Sequence, residues 1–143
     1  MPGHTPYRKA SSYLTTLNMW VSDRLKATLG TYTLMGSYTS TTSTPVAGYR
    51  WLREATVLAH NGTYVYPNPS GGSTGIVGVL EDRVMYPEEL GADYNPICTV
   101  LLMGPAILNK NVITDGGTFG SVQAATETAL AGKNIHFIAG TRI

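Results

Sequence analysis

Charge is what this chain has least of. Charged side chains make up 13% of its 143 residues, against about 25% in an average soluble domain. The surface must therefore be solvated by hydroxyls and amides, or be covered by partners. The ten basic residues are balanced by nine acidic ones and form no block. Nucleic-acid binding by counterion release needs clustered Lys and Arg, so nucleic acid is not an expected partner. Cysteine is confined to Cys98, which excludes an intramolecular disulfide and a zinc site built on cysteines. Inside the apolar run CTVLLM it reads as a small buried hydrophobe rather than a nucleophile. Long hydrophobic runs are missing as well, none approaching the roughly 20 residues of a membrane span. The N-terminal MPGHTPYRKASSY also lacks the apolar segment of a signal peptide. The expectation is a soluble protein that is not exported and has no membrane partner.

The apolar material is concentrated between Gly75 and Ile113. Two β-type runs, Ile76 to Leu80 and Cys98 to Met103, flank an acidic link punctuated by Pro87 and Pro96, and Gly104-Pro105 closes the second run. Short aliphatic runs bounded by Gly and Pro predict strands buried on both faces, which have no need to alternate. A chain of this length holds one real core, so one domain plus an extension is expected.

Residues 1 to 20 contain two prolines and little alternation, yet carry Tyr7, Tyr13, Leu14, Leu17, Met19 and Trp20. Such a segment cannot offset its own ordering entropy, and reads as an arm that gains order from a partner. Leu25 and Leu29, spaced i and i+4 before Gly30, predict a short helix between Asn18 and Gly30. The hydroxyl-rich SYTSTTST ending at Pro45 predicts a polar linker or an edge strand. A boundary placed there divides the chain into an N-terminal arm or subdomain, 1–45, and a β-rich domain, 46–143. Asn61-Gly62 between two β-prone runs predicts a hairpin over 56–66. Asn61-Gly62-Thr63 also matches a glycosylation acceptor, a chance match in a protein that is not exported. Pro67 to Gly75 predicts a surface loop and Asp115-Gly116-Gly117 a turn. Ser121 as N-cap and Gly132 as stop frame a helix over Val122 to Ala131, with Val122, Ala125, Ala129 and Leu130 on its inner face. A last strand is expected over Ile135 to Ala139. The fold class is mainly β with one short helix, α+β: a small β-barrel-like or β-sandwich domain with an extended N-terminal arm.

Reactive chemistry is harder to find. Gly71-Gly72-Ser73-Thr74-Gly75 matches G-x-S-x-G, and Asp115 and His136 follow in the chain order of an α/β-hydrolase triad. A nucleophile elbow needs a strand before it and a helix after it, whereas here PNPS precedes and the strand IVGVL follows. His4, His60 and His136 lack metal-ligand spacing, so no metal site is expected. Glu81, Asp82, Glu88 and Glu89 could pair as acid and base, but a charged link between buried strands reads as its solvated part. No glycine-rich run leads into Lys-Ser or Lys-Thr, which excludes a phosphate loop. The chain is not expected to be an enzyme or to hold a cofactor.

One ordered succession of short motifs is more specific. Ala55-Thr56-Val57-Leu58 is followed by Gly62-Thr63-Tyr64, a Gly/Ser loop, Gly75-Ile76-Val77-Gly78-Val79-Leu80-Glu81-Asp82 and Val100-Leu101-Leu102-Met103-Gly104-Pro105-Ala106-Ile107-Leu108-Asn109. An Ala-containing helix over Gln123 to Leu130 and the closing Asn134-Ile135-His136-Phe137 complete it. This order resembles the head decoration proteins of tailed phages, the lambda-type capsid cement proteins, over roughly residues 50 to 143. The resemblance implies a structural virion protein: a homotrimer on the outer surface of the expanded head that clamps the major capsid protein. An arm that orders against the shell is also implied, with Tyr7, Tyr13, Leu14, Leu17 and Trp20 as anchors and Arg8 and Lys9 as polar rim. For Trp20 the alternative is packing on its own domain. Residues 1–45 match no part of the family pattern. Two other classes remain open: a glycan-binding or adhesion domain using Tyr and Trp as a sugar platform, and a small serine hydrolase.

Overall fold

The computed structural model describes residues 18–42, 44–72 and 74–139. Its centre is a five-stranded antiparallel sheet in the order β1 (Thr28–Thr33), β7 (Ile97–Met103), β5 (Ile76–Leu80), β3 (Val57–His60) and β4 (Val65–Pro67). All five residues of β5 are buried, as expected of a central strand covered on both faces. The sheet curls until Leu34, just past β1, bridges to Val65 on β4. The two edges meet at that single bridge without closing a barrel.

Two hydrophobic cores lie on the two faces. The first gathers Val57, Ile76, Val79 and Leu101 under Met19, Leu108, Leu130 and Ile135. The second gathers Leu58, Val65, Val77, Leu80, Cys98 and Val100 with Leu34, Val84 and Tyr86. β5 alternates between the two faces, and a bulge shifts its phase: Val57 pairs with Val79, Leu58 with Gly78, and Ala59 with Ile76, leaving Val77 as the extra residue. Val77 therefore joins Leu80 on the second face, while Ile76 and Val79 face the first. Gly78 sits where β7 comes closest, and a Cβ there would lie 2.0 Å from the Leu101 carbonyl oxygen.

The cover over the first core comes from both ends of the described chain. β8 (Ala106–Asn109) pairs in parallel with β11 (Ile135–Ile138), and Trp20 bridges to Leu108 on the other side of β8. The helix α1 (Ala124–Ala131) precedes β11. The second core is covered by a separate antiparallel ribbon of β2 (Tyr49–Leu52) and β6 (Val84–Pro87). A small hairpin of β9 (Thr114–Asp115) and β10 (Thr118–Phe119) turns through Gly116 and Gly117, with φ of 61° and 80°. Positive φ at both residues is the geometry glycine supplies at no steric cost.

The fold class is as expected, mainly β with one helix, but several local expectations are corrected. No α-helix forms within Asn18 to Gly30. Asp23 accepts the Leu25 N–H at 3.0 Å and caps a 3-10 turn of only three residues, Arg24–Lys26. Thr28, Thr31, Tyr32 and Thr33 then favour the strand. Leu25 is exposed while Leu29 reaches the first core, so their spacing marks no common face. Residues 18–42 do not stand apart from the rest either, since β1 is a strand of the main sheet and Met19 and Leu34 are buried in the two cores. The hairpin expected over 56–66 forms with a four-residue loop, closed by His60 and Val65. There the Asn61 carboxamide accepts the Thr63 and Tyr64 N–H groups, at 3.0 Å each. In the helix, Thr126 and Leu130 are buried and Ala125 is exposed. Ser121 is not its cap, as described next.

Candidate functional site

An aromatic-walled cleft of about 510 Å³ opens between the β2–β6 ribbon and the β9–β10 hairpin. Tyr38, Trp51, Arg53, Pro67 and Phe119 form its walls. Trp51 is fixed by two backbone hydrogen bonds with Ser40, each 2.9 Å, and is itself buried. Arg53 emerges at the end of β2 with its guanidinium 5.4 Å from the Trp51 ring centre and 4.9 Å from that of Phe119. A second guanidinium, that of Arg83, lies 5.7 Å from the Trp51 ring and pairs with Glu54 at 3.3 Å. Beside them the rings of Tyr38 and Tyr66 stack 5.5 Å apart. The glycine turn exposes Phe119, which is 49% accessible.

A buried polar knot holds this cleft in shape. The Asn68 side-chain amide donates to the Asp115 carboxylate at 2.9 Å and to the Thr126 hydroxyl at 3.3 Å. The same carboxylate accepts the Gln123 backbone N–H at 2.9 Å and its side-chain amide at 3.1 Å. Asp115 thus satisfies the helix start that Ser121 was expected to cap, and places a negative charge where the helix N-terminus favours one. Loop, hairpin and helix are tied together at this point. The Asn68 backbone carbonyl accepts the Gly116 N–H at 3.1 Å, while its side-chain Oδ1 is buried without a hydrogen-bond partner among the described residues.

The expected site residues fall elsewhere. Tyr7, Arg8, Lys9, Tyr13, Leu14 and Leu17 lie outside the described residues. Trp20 is half-buried against the first core of its own domain, so it acts as internal packing and not as an exposed anchor. Asp115 and His136 are not bonded to each other: Asp115 is bonded to Asn68 and Gln123, and His136 to Asn134 at 3.1 Å. Ser73 lies outside the described residues. Glu81 pairs with Arg24 at 2.8 Å, while Glu88 and Glu89 sit exposed in a separate 3-10 turn, Glu88–Leu90. Among the described residues no three His, Cys, Asp or Glu side chains come together as metal ligands, and no helix is long and apolar enough to cross a membrane. Burial pushes the Cys98 thiol up to about 11, partly offset by a backbone hydrogen bond from Tyr32.

Sequence reasoning missed the cleft because Tyr38 and Phe119 are far in the chain from the Trp51 and Arg53 that they meet. The available signals were Trp and Arg two positions apart beside a strand, and an aromatic directly after a Gly-Gly turn. Comparison with protein-family models, with curated proteins and with solved structures gives no match.

Proposed function

We propose that this chain is a decoration protein of a tailed-phage head: a homotrimer on the outer capsid surface that binds the major capsid protein and stabilises the expanded shell. The supporting observation is the distribution of exposed apolar side chains on a domain poor in charge. Leu25, Leu90, Ile97, Met103, Ile107 and Phe119 are each between 38% and 84% accessible. Exposed apolar side chains are groups that a partner would cover, and a surface poor in charge carries little desolvation cost when it is covered. The segments behind the family resemblance support the same reading, for they form β3, β5, β7, β8, α1 and β11 in the expected order.

The mechanism needs no turnover, cofactor or metal. A ligand that binds only the assembled shell stabilises it by about 2.7 kcal/mol per site at a hundred times its Kd. A trimer touching several capsid subunits adds avidity. Tyr7, Tyr13, Leu14 and Leu17 are the proposed shell anchors, with Arg8 and Lys9 at their rim. Deletion of residues 1–17, which spares Met19 in the core, should leave a folded trimer that no longer sediments with expanded empty heads. Undiminished co-sedimentation of the truncated protein overturns the role of the arm. Failure of the full-length protein to bind heads overturns the whole reading.

A further inference from the structure

We infer that the Arg53 cleft is one half of the contact between subunits, and that its occupant is the acidic turn Glu88-Glu89-Leu90 of a second copy of this chain. This rests on the trimer reading above and names the surfaces that would build the trimer.

The cleft presents a cation at its surface, while the nearby Asp115 carboxylate is buried and engaged by Asn68 and Gln123. Its wall residues include a single cation, Arg53, and no acid. Arg53 forms no ion pair among the described residues. Trp51 and Phe119 hold its guanidinium by their rings, an arrangement that leaves the N–H edge of a stacked guanidinium for a carboxylate. A saccharide would need those ring faces as its platform, and at Trp51 two guanidinia already lie over the ring. The fitting ligand is a carboxylate next to an apolar side chain.

The chain displays that chemistry at the other end of the same ribbon. Glu88 and Glu89 are exposed, and Leu90 beside them is 48% accessible. Neither glutamate has an ion-pair partner among the described residues. The turn is held firmly: the Glu88 N–H donates to the Gly48 carbonyl at 2.8 Å, and the Gly91 N–H closes onto Glu88 at 3.0 Å. Tyr49 pairs with Pro87 at this end of the ribbon and Leu52 with Val84 at the cleft end. The two sites are therefore on the order of 15 Å apart along the ribbon, at about 3.3 Å per residue. Two different, complementary patches on one molecule make a head-to-tail contact, which closes rings such as trimers, whereas a self-complementary patch makes a two-fold dimer.

The test is charge reversal read by sedimentation equilibrium. Glu88→Lys with Glu89→Lys alters only an exposed turn, and Arg53→Glu alters the cleft. Each change should raise the concentration at which half the subunits are trimeric by at least about tenfold, as for a broken interfacial charge pair. Combining all three in one chain should bring it back toward the wild-type value. Near-UV circular dichroism of the turn variant checks that its fold is intact, so the outcome does not depend on Arg53→Glu folding. Wild-type trimers that persist unchanged in the turn variant overturn this inference and leave the trimer reading standing. A wild-type protein that stays monomeric overturns both.

Discussion

The two cores are built in opposite ways. The second is made almost wholly by strands of the main sheet and the ribbon beside it, between Leu34 and Val100. The first borrows its cover from Met19 at one end of the described chain and Leu130 and Ile135 near the other. Strand β5 is common to both, because successive strand side chains point to opposite faces and the bulge at Val77 only shifts the phase of that alternation. The contrast shows how a five-residue strand with no polar face can be fully used: it is the partition between two cores, and each core depends on it.

The largest expected effect follows from that shared position. In Gly78→Ala the new methyl meets the Leu101 carbonyl oxygen at 2.0 Å and a Val100 methyl at 2.9 Å, so strands β5 and β7 must separate. A loss of about 3 kcal/mol or more is expected in urea unfolding, with both cores weakened together. Retention of one core by hydrogen exchange would break the picture of β5 as a common wall.

A smaller change should separate the cores. Met19→Ala leaves a cavity in the first core alone and should cost about 2–4 kcal/mol. Amides of β8 and β11 should then exchange faster while those of β4 keep their protection. Uniform acceleration throughout the sheet would show that the two cores open as one.

The smallest effect concerns pH and the second core. Cys98 has its thiol raised from the ordinary 9.0 to about 11 by burial. Below pH 9 the thiol is protonated whether the chain is folded or not, and its contribution is complete. As pH rises from about 9 toward 11 the unfolded chain ionises first, so stability falls across that window. In Cys98→Ala this part of the pH slope should vanish, measured as the difference in unfolding midpoint from wild type at each pH. An identical slope in the two proteins would remove Cys98 as its source.

Much of the second core was legible in the sequence. Ile76 to Leu80 and Cys98 to Met103 are apolar runs with Gly, Pro and acidic boundaries, and they are strands where expected. Gly116-Gly117 announced its turn, since few other residue pairs tolerate positive φ twice. The first core was much less legible. Leu25 and Leu29 imitate a helical spacing, and the β-prone Thr28 to Thr33 together with the pairing to β7 make that stretch a strand. Nothing local shows that Met19 is core or that β8 pairs with β11. Thr126 displaces Ala125 from the buried face of the helix because its hydroxyl accepts a hydrogen bond from Asn68. That partner comes from a loop far earlier in the chain. The cleft belongs to this same class of features, for its walls meet only after the ribbon and the hairpin are in place.

The position of β8 has a consequence for how the chain folds. It lies between Trp20 on one side and β11 on the other, so the first core is completed by segments from the start and the end of the described chain. Contacts between distant segments form late, after the loop entropy of joining them has been overcome. During synthesis the strands of the second core can pair once β7 has left the ribosome. The cover over the first core stays incomplete until β11 arrives. β11 acts as a closing latch, and a nascent chain interrupted before Ile135 leaves one edge of β8 unpaired and the first core without Ile135.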